Sequence, residues 1–380
     1  MRVAVVGVGY SGFNANTPDL SWKEIMYEAA VRAYEDAGVN PRKDVDCFVT
    51  CAEDFWEGFA IFDEFVPDQL GGVLKPTFTV TADFLHGLAN AYMIIKSGLA
   101  EMAVVEAHSK ASDIVTFGEV IKFAFDPVWL RPVGKGHPYY FAALEKSYYM
   151  SRRGYSEELF AEVVVKNKRH GRLNKDAPYS ADVSVEDVLS SEAAFYPLRK
   201  LEIAERSDGA IVFVLANEHV ARELRDDPIW VSGVGWWSET SNYDTMSFEA
   251  IYAKKAAEMA YRMAGITKPA KEVQLAEVDD RFAYKEVQHV EALGLAKKGE
   301  VEELVKSGYF ERGGEIPVNV SGGNLSVGNL LEATGGQKAL EVVLQLRGEA
   351  GRRNVDAEVG VAMSWRFIPT ATGAVAVFSR

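Results

Sequence analysis

The stretch SGGNLSVGNLLEATGGQ, Ser321 to Gln337, has the make-up of an active-site turn that feeds a helix. Gly322 and Gly323 on one side, and Gly335 and Gly336 on the other, leave room for a ligand to approach the backbone closely. The centre of the loop holds Asn329 and Leu330, and neither transfers a proton at neutral pH. Titratable groups stand elsewhere: Asp83 and His86 at the head of a helical run, and Asp279, Asp280 and Tyr284 after a strand-like run. An aspartate in an apolar cleft has its pKa raised and can serve as a base. The competing readings are turn chemistry for Asp279-Asp280 and, for His86, a helix-face ring bonded to a carbonyl. A cationic run, KNKRHGR from Lys166 to Arg172, follows the helical SEELFAEVVV. It is either a solvated helix end whose charges suit the dipole or a patch for a small phosphorylated ligand.

Two further patterns invite chemistry and are read structurally. Gly7, Gly9 and Gly12 spell G-x-G-x-x-G after a strand, as in dinucleotide-binding folds. The chain then runs FNANTPDL, helix signals begin only at Ser21, and the next strand ends near Cys51, too far along for an acidic ribose partner. The glycines are therefore expected to let the first strand turn tightly. Cys47 and Cys51 lie four residues apart in a probable strand and are expected to be buried small hydrophobes, with no disulfide, redox or metal site.

The elements that must position these residues are duplicated. VAVVGVGY, Val3 to Tyr10, recurs as IWVSGVGW, Ile229 to Trp236. The helical run after the first carries Ala33-Tyr34 and Ala37-Gly38, and 227 residues later stand Ala260-Tyr261 and Ala264-Gly265, with Phe55 and Phe282 at the same offset. Ser21 and Glu24 form a capping-box pattern, and Gly38 and Gly265 are stop signals. Strands alternating with helices predict an α/β fold with parallel pairing and helices on both faces. The expected division is 1–225 and 226–380, with a Tyr-, Pro- and charge-rich insertion at about 115–205 that has no counterpart in the second half. Trp236 and Trp237 are expected in a core or an interface.

Composition narrows the partners. The 380 residues are 48% hydrophobic, enough for a large core, and the net charge of −14 argues against nucleic acid. No apolar run is long enough to span a membrane. MRVAVVGVG lacks a signal-peptide cleavage region, so a cytoplasmic protein is expected.

Several segments together resemble the thiolase superfamily, more narrowly the archaeal and sterol-carrier-type thiolases, which are acetyl-CoA acetyltransferase-like. HPYYFAALEKSYYM resembles the helix that opens the family's loop region, and YPLRKLEIAERSDGA its "PLR…SDGA" segment. EVDDRFAYKEVQHVEALGL is similar to "HD.F…E…LGL", and VNVSGGNLSVGNLLEATGG to "NPSGG…GHPLGATG". The resemblance implies two duplicated βαβαβαββ halves in a five-layer α-β-α-β-α arrangement. It implies Claisen chemistry on acyl-CoA, which needs a thiolate, a base beside a thioester carbonyl and two oxyanion sites. It also implies coenzyme A or acyl-CoA as ligand, with no cofactor held tightly, and a homodimer formed through the first-half edge strand. Relatives of this type are often accompanied by a small OB-fold, zinc-ribbon partner protein.

Carried over position by position, the family's chemistry is missing. The nucleophilic cysteine matches Thr81 when counted from Ser97-Gly98 and Phe84 when counted from Gly87. The "GHP" histidine matches Asn329, the "HD.F" residue matches Asp279, and the C-terminal Cys-Gly turn falls near Phe367. Gly322, Gly323, Gly335 and Lys166 remain as candidate coenzyme A contacts. Three readings follow: a non-catalytic subunit that keeps the fold and the coenzyme A cleft; an enzyme of different, aldolase-like chemistry using Asp83, Asp279 or a neighbour; or a conventional thiolase with its nucleophile elsewhere.

Overall fold

The computed structural model describes residues 1–54, 56, 58, 61–133, 137–240 and 247–380. The Phe55 half of the Phe55–Phe282 correspondence lies outside the described residues. The first half contributes strands β1 (Val3–Tyr10), β2 (Cys47–Cys51), β3 (Thr77–Val80), β4 (Met102–Lys110) and β5 (Asp208–Asn217). Its helices are α1 (Trp22–Ala37) and α2 (Phe84–Lys96), with α3 (Tyr139–Arg153) and α4 (Glu157–Gly171) in the insertion. The second half contributes β6 (Ile229–Ser238), α5 (Ile251–Ala264), β7 (Leu275–Val278), α6 (Ala283–Ala292), α7 (Thr334–Arg347), β8 (Val359–Trp365) and β9 (Thr372–Ser379). The local signals hold. Ser21 and Glu24 form a reciprocal capping box, and Gly38 and Gly265 close α1 and α5 in the left-handed conformation.

The nine strands run in the order β3-β2-β4-β5-β1-β6-β9-β8-β7. Read outward from the β1–β6 junction, each half repeats one order, and the duplication seen in the sequence is a duplication of topology. Parallel pairing is confined to β2–β3, β2–β4 and β7–β8; the other ladders are antiparallel. The sheet is thus mixed, not parallel throughout. The connection 366–371 between β8 and β9 is too short for a crossover, so those strands must run antiparallel.

Side-chain alternation assigns each strand face to a layer. Ala4, Val6, Val104 and Val212 face α1, whereas Val3, Val5, Val49 and Val105 face a central core with Phe84 and Leu88 of α2 and Leu340 and Val343 of α7. Ala362, Ala376 and Phe378 of the second half enter that same core, and Val361, Met363, Val375 and Val377 point the other way, toward α5 and α6. The sheet folds over α2 and α7, and the layers run α1, sheet, α2 with α7, sheet, α5 with α6. The insertion caps the second half: Phe141, Leu159, Phe160 and Val163 join Val278, Tyr284 and Val287 in one cluster. Cys47 and Cys51 are free and buried in the central core. Trp236 packs half-buried at the rim of that core, and Trp237 is largely exposed.

The paired glycines of β1 and β6 do not hold a nucleotide; they admit helices. A Cβ on Gly9 would lie 2.1 Å from the Ala29 carbonyl oxygen, and one on Gly235 would lie 2.0 Å from that of Ala256. Gly7 and Gly233 meet Ala33 and Ala260 in the same way, at 2.4 and 2.1 Å. Of the G-x-G-x-x-G set, only Gly12, with φ +91°, serves the turn. Because the obstructing atoms are backbone, Gly9→Ala and Gly235→Ala are each expected to cost about 2–3 kcal/mol in urea unfolding. Gly38→Ala, at an open left-handed position, is expected to cost about 1 kcal/mol. Equal, small costs at all three sites would overturn the close-packing account.

Candidate functional site

The head of α2 is closed by Asp83. Its carboxylate accepts from Leu85 N at 3.0 Å, capping the helix, and reaches across the molecule to Gly335 N at 2.8 Å and Ser364 Oγ at 2.5 Å. One buried side chain thus joins α2, α7 and β8. Burial raises its carboxyl to about 6, against the lowering effect of the bonds from Ser364, Leu85 and Gly335. Of the two positions matched to the nucleophile, Thr81 is exposed ahead of the helix. Phe84 is its first residue, fully buried edge-on against Phe213 at 5.1 Å. Neither cysteine supplies a thiolate. Burial pushes Cys47 up to about 11 and Cys51 well above the ordinary thiol range.

The turn after β7 carries Asp279, which is fully buried and bound to Arg281 through Nη2 at 2.7 Å and Nε at 3.1 Å; Trp365 N donates to it at 3.1 Å. Burial alone would raise this carboxyl, but the Arg281 guanidinium overrides it and holds the group below its usual range. Asp279 is therefore an ion-paired structural anion and not a base. Arg281 also donates to the Trp365 carbonyl and lies 4.6 Å from the Phe367 ring centroid. Asp280 points elsewhere, receiving Asn324 N at 2.6 Å, Asn167 Nδ2 at 2.8 Å and Lys338 Nζ at 3.0 Å. Tyr284 donates to Glu145 at 2.8 Å, beside Lys285, which binds the same carboxylate at 2.6 Å. His289 bridges the Asp279 carbonyl at 2.8 Å and the Tyr252 hydroxyl at 3.0 Å. Burial lowers its pKa to about 3, so the ring is neutral.

Most of the proposed ligand contacts are occupied by protein. Asn329 uses its side chain to accept from Leu331 N at 3.1 Å, and its backbone is tied to Glu205 and Ser207. Asp279 and Asn329 are both buried, and each turns its side chain to a protein partner. Lys166 offers nothing to a phosphate. It is buried and bound to Asn167 Oδ1 at 2.6 Å, the Val318 carbonyl at 2.9 Å and Glu286 at 3.1 Å. The room beside the glycines is filled. A Cβ on Gly322 would meet Gly171, one on Gly323 the Asp280 carboxylate, and one on Gly335 the Asp83 Oδ1 at 2.0 Å. His86 is buried with both ring nitrogens unpartnered among the described residues, so the expected carbonyl bond is not seen there, and burial lowers its pKa to about 4.

The loops that carry the matched positions enclose a void of about 10 Å³ between Asp83, Arg281, Leu331, Trp365, Arg366 and Phe367. That is room for one water at most. A wall of rings separates it from a cavity of about 740 Å³ in the insertion. Trp56 stacks on Phe117 at 5.4 Å, Phe367 stacks on Phe282 at 5.7 Å, and Tyr139 stands edge-on to Phe282 at 5.2 Å. The large cavity is lined by Phe117, His137, Tyr139, Phe195, Glu205 and Arg206 among others. The Tyr139 hydroxyl has no hydrogen-bond partner among the described residues, and burial raises its pKa. His137 lies 4.1 Å from the Tyr139 ring, its Nδ1 facing Tyr139 N at 3.4 Å. Burial, then Lys122, lowers the His137 pKa and keeps it neutral. Sequence reasoning missed Arg281, Tyr139 and His137, although all three stand in segments that carry the resemblance.

Comparison with known proteins places this architecture. Residues 236–380 match the family described as "Thiolase C-terminal domain-like". An acetyl-CoA acetyltransferase of Methanothermobacter thermautotrophicus is 34% identical, over 100% of this chain and 99% of the relative. A 17-hydroxy-3-oxo-4-pregnene-20-carboxyl-CoA lyase of Mycobacterium tuberculosis is 27% identical over 91% of this chain and 92% of its own. Among solved structures, an "Ltp2-ChsH2(DUF35) aldolase" chain superposes with a TM-score of 0.85 at 23% identity, covering 100% of this chain and 97% of that one. Human mitochondrial 3-ketoacyl-CoA thiolase superposes at 0.75 and 16% identity, covering 100% and 98%.

The Asp83 junction has a pH signature. Its folded-state pKa of about 6 lies above the unfolded value of about 3.9, so the native state takes up the proton first as pH falls. The stability this contributes is present at low pH and is lost as pH rises through about 6. Relative to Asp83→Asn, which does not titrate, the wild type is expected to gain about 2 kcal/mol between pH 7 and pH 4. The comparison cancels the opposite effects of His86 and His289. A difference that shrinks toward acid pH would show that the carboxyl is not raised.

Proposed function

The chain belongs to the thiolase family, and on that footing we propose that it is a non-catalytic, acyl-CoA-holding subunit that does not run cysteine-dependent Claisen chemistry. The observation that carries this reading is the filled site. Where the family resemblance calls for a thiolate, a base and room for two acyl groups, this chain has Thr81 or Phe84, an arginine-bound Asp279, a self-capped Asn329 and a void of about 10 Å³. The neighbouring cavity of about 740 Å³ is of the size that takes a pantetheine arm and its acyl group, and it stays open. The half-buried edge strand β3 supports a homodimer, since pairing would cover its free backbone groups. The aldolase chain that superposes best of those named above comes from a complex with a DUF35 protein, which supports a small OB-fold, zinc-ribbon partner for this chain too. Among the described residues no helix is long and apolar enough to cross a membrane, and a cytoplasmic location remains part of this reading.

Calorimetry with acetyl-CoA, alone and with the partner, is expected to show saturable binding without thiolysis of acetoacetyl-CoA. Val115→Trp, at the exposed mouth of the large cavity, is expected to weaken that binding roughly tenfold, about 1.4 kcal/mol. Turnover that Cys51→Ser abolishes, or no binding in any arm, overturns the reading. Light scattering on the same sample reads the dimer, and the mass of a single 41.9 kDa chain excludes it.

A second reading is favoured by Tyr139. An unpartnered hydroxyl in the cavity, with a neutral imidazole beside it, is suited to donate to a thioester oxygen as enolate charge builds there. Retro-aldol cleavage of a 3-hydroxyacyl-CoA would need this, and one relative is named a lyase of an acyl-CoA. Release of an aldehyde or ketone that falls about 100-fold in Tyr139→Phe would establish it; no release from the wild type excludes it.

A further inference from the structure

Three segments far apart in sequence bring four guanidinium groups to one concavity of about 550 Å³. Arg169 and Arg172 come from the end of α4, Arg312 from the turn after Phe310, and Arg352 from the short turn Gly351–Arg353. One acid, Glu311, lines the same space, and it is already engaged. It takes Arg169 Nη2 at 2.5 Å and His170 Nε2 at 3.0 Å, while His170 Nδ1 faces the Asn319 carbonyl at 3.1 Å. Burial would raise the Glu311 carboxyl, yet the bonds from His170 and Arg169 hold it at about 2. Among the described residues the one carboxylate near Arg172 is Asp182, a loose, solvent-exposed contact of 3.5 Å. Arg312 and Arg352 have no carboxylate partner among the described residues. The dipole of α4 accounts for cations at positions 169 and 172. It does not account for Arg312 and Arg352, which stand on separate segments and add like charge to the same hollow. In a chain of net charge −14, such a hollow concentrates anions by focusing the local field.

We propose that this groove is a binding site for a small ligand bearing two or more phosphate charges, distinct from the aromatic cavity of the insertion. Guanidinium forks approaching from three sides match the geometry of a phosphate chain better than that of a single carboxylate, because each fork can take two oxygens. The Glu311–His170–Arg169 chain fixes one wall, so that Arg169 is held in place before any ligand arrives. The site does not depend on acyl-CoA occupying the other cavity. The phosphates could belong to a free nucleotide or to the head of coenzyme A, and the two sources are separable.

The test is calorimetric titration of the intact protein with ADP at low and at moderate salt, followed by competition with coenzyme A. ADP is expected to bind saturably and to weaken as salt rises. Binding is expected to fall at least about tenfold in Arg312→Ser/Arg352→Ser, whose exposed side chains contribute little to folding, and to be unchanged in Arg222→Ser, on the remote segment after β5. Displacement of ADP by coenzyme A assigns the phosphates to the coenzyme head; indifference to it assigns a separate nucleotide. Val115→Trp is expected to leave ADP binding intact, so failure of the acyl-CoA reading and failure of this one give different results. No saturable heat with ADP at about 1 mM, or binding that the double variant leaves unchanged, overturns the proposal.

Discussion

The Arg281 guanidinium governs the centre of this molecule. Two full charges, Arg281 and Asp279, are taken out of water together, and such a pair is tolerated only where every remaining donor and acceptor is satisfied. Here the carboxylate also receives Trp365 N, and the guanidinium also reaches the Trp365 carbonyl. The pair therefore does more than neutralise itself: it fastens the turn after β7 to the end of β8. With β8 fixed there, Phe367, at φ +76°, is directed back over Arg281 and onto Phe282. Asp83 performs the corresponding task from the other half, tying the head of α2 to Ser364 on the same strand and to the start of α7. Two buried aspartates, each bonded across elements, thus set the geometry in which the aromatic rings close the site.

What surrounds that centre follows from repetition. A strand with two glycines and a helix with alanines four apart allow a backbone-to-backbone approach that no larger residues permit, and the molecule uses this contact twice. The insertion breaks the symmetry. It leaves the first half but packs on the second, and it supplies one wall of both larger hollows, the aromatic cavity through Phe117 and Tyr139 and the arginine groove through α4. Chemical individuality is thereby concentrated in the segment without a counterpart.

Much of this was legible in the sequence because local physics expresses it locally. The Ser21–Glu24 box, the stops at Gly38 and Gly265 and the inert burial of Cys47 and Cys51 each depend on neighbours within a few residues or on period-two alternation. What failed was non-local. Lys166 reads as surface charge until Glu286 and the Val318 carbonyl, more than a hundred residues away, are known to enclose it. Gly322, Gly323 and Gly335 read as space for a ligand, yet the space is taken by Gly171, Asp280 and Asp83. The pairing direction of β5 and β9 depends on how the chain returns to the sheet, which alternation of strand and helix does not encode. The weight of Arg281 is not legible in EVDDRF because its partner, the Trp365 carbonyl, stands on β8.

The nearly filled pocket resists enlargement. Leu331, Trp365 and Phe367 line it as buried side chains, and trimming any one of these to a small residue leaves a hole costing about 2–5 kcal/mol. Reopening the pocket requires several such changes at once, and their sum approaches the whole stability of an ordinary domain, about 5–15 kcal/mol. A thiol placed at position 84 alone would be as deeply buried as Phe84 is. The packing thus acts as a ratchet: each single substitution toward a wider pocket lowers stability by itself, so enlarging it takes compensating changes elsewhere in the fold.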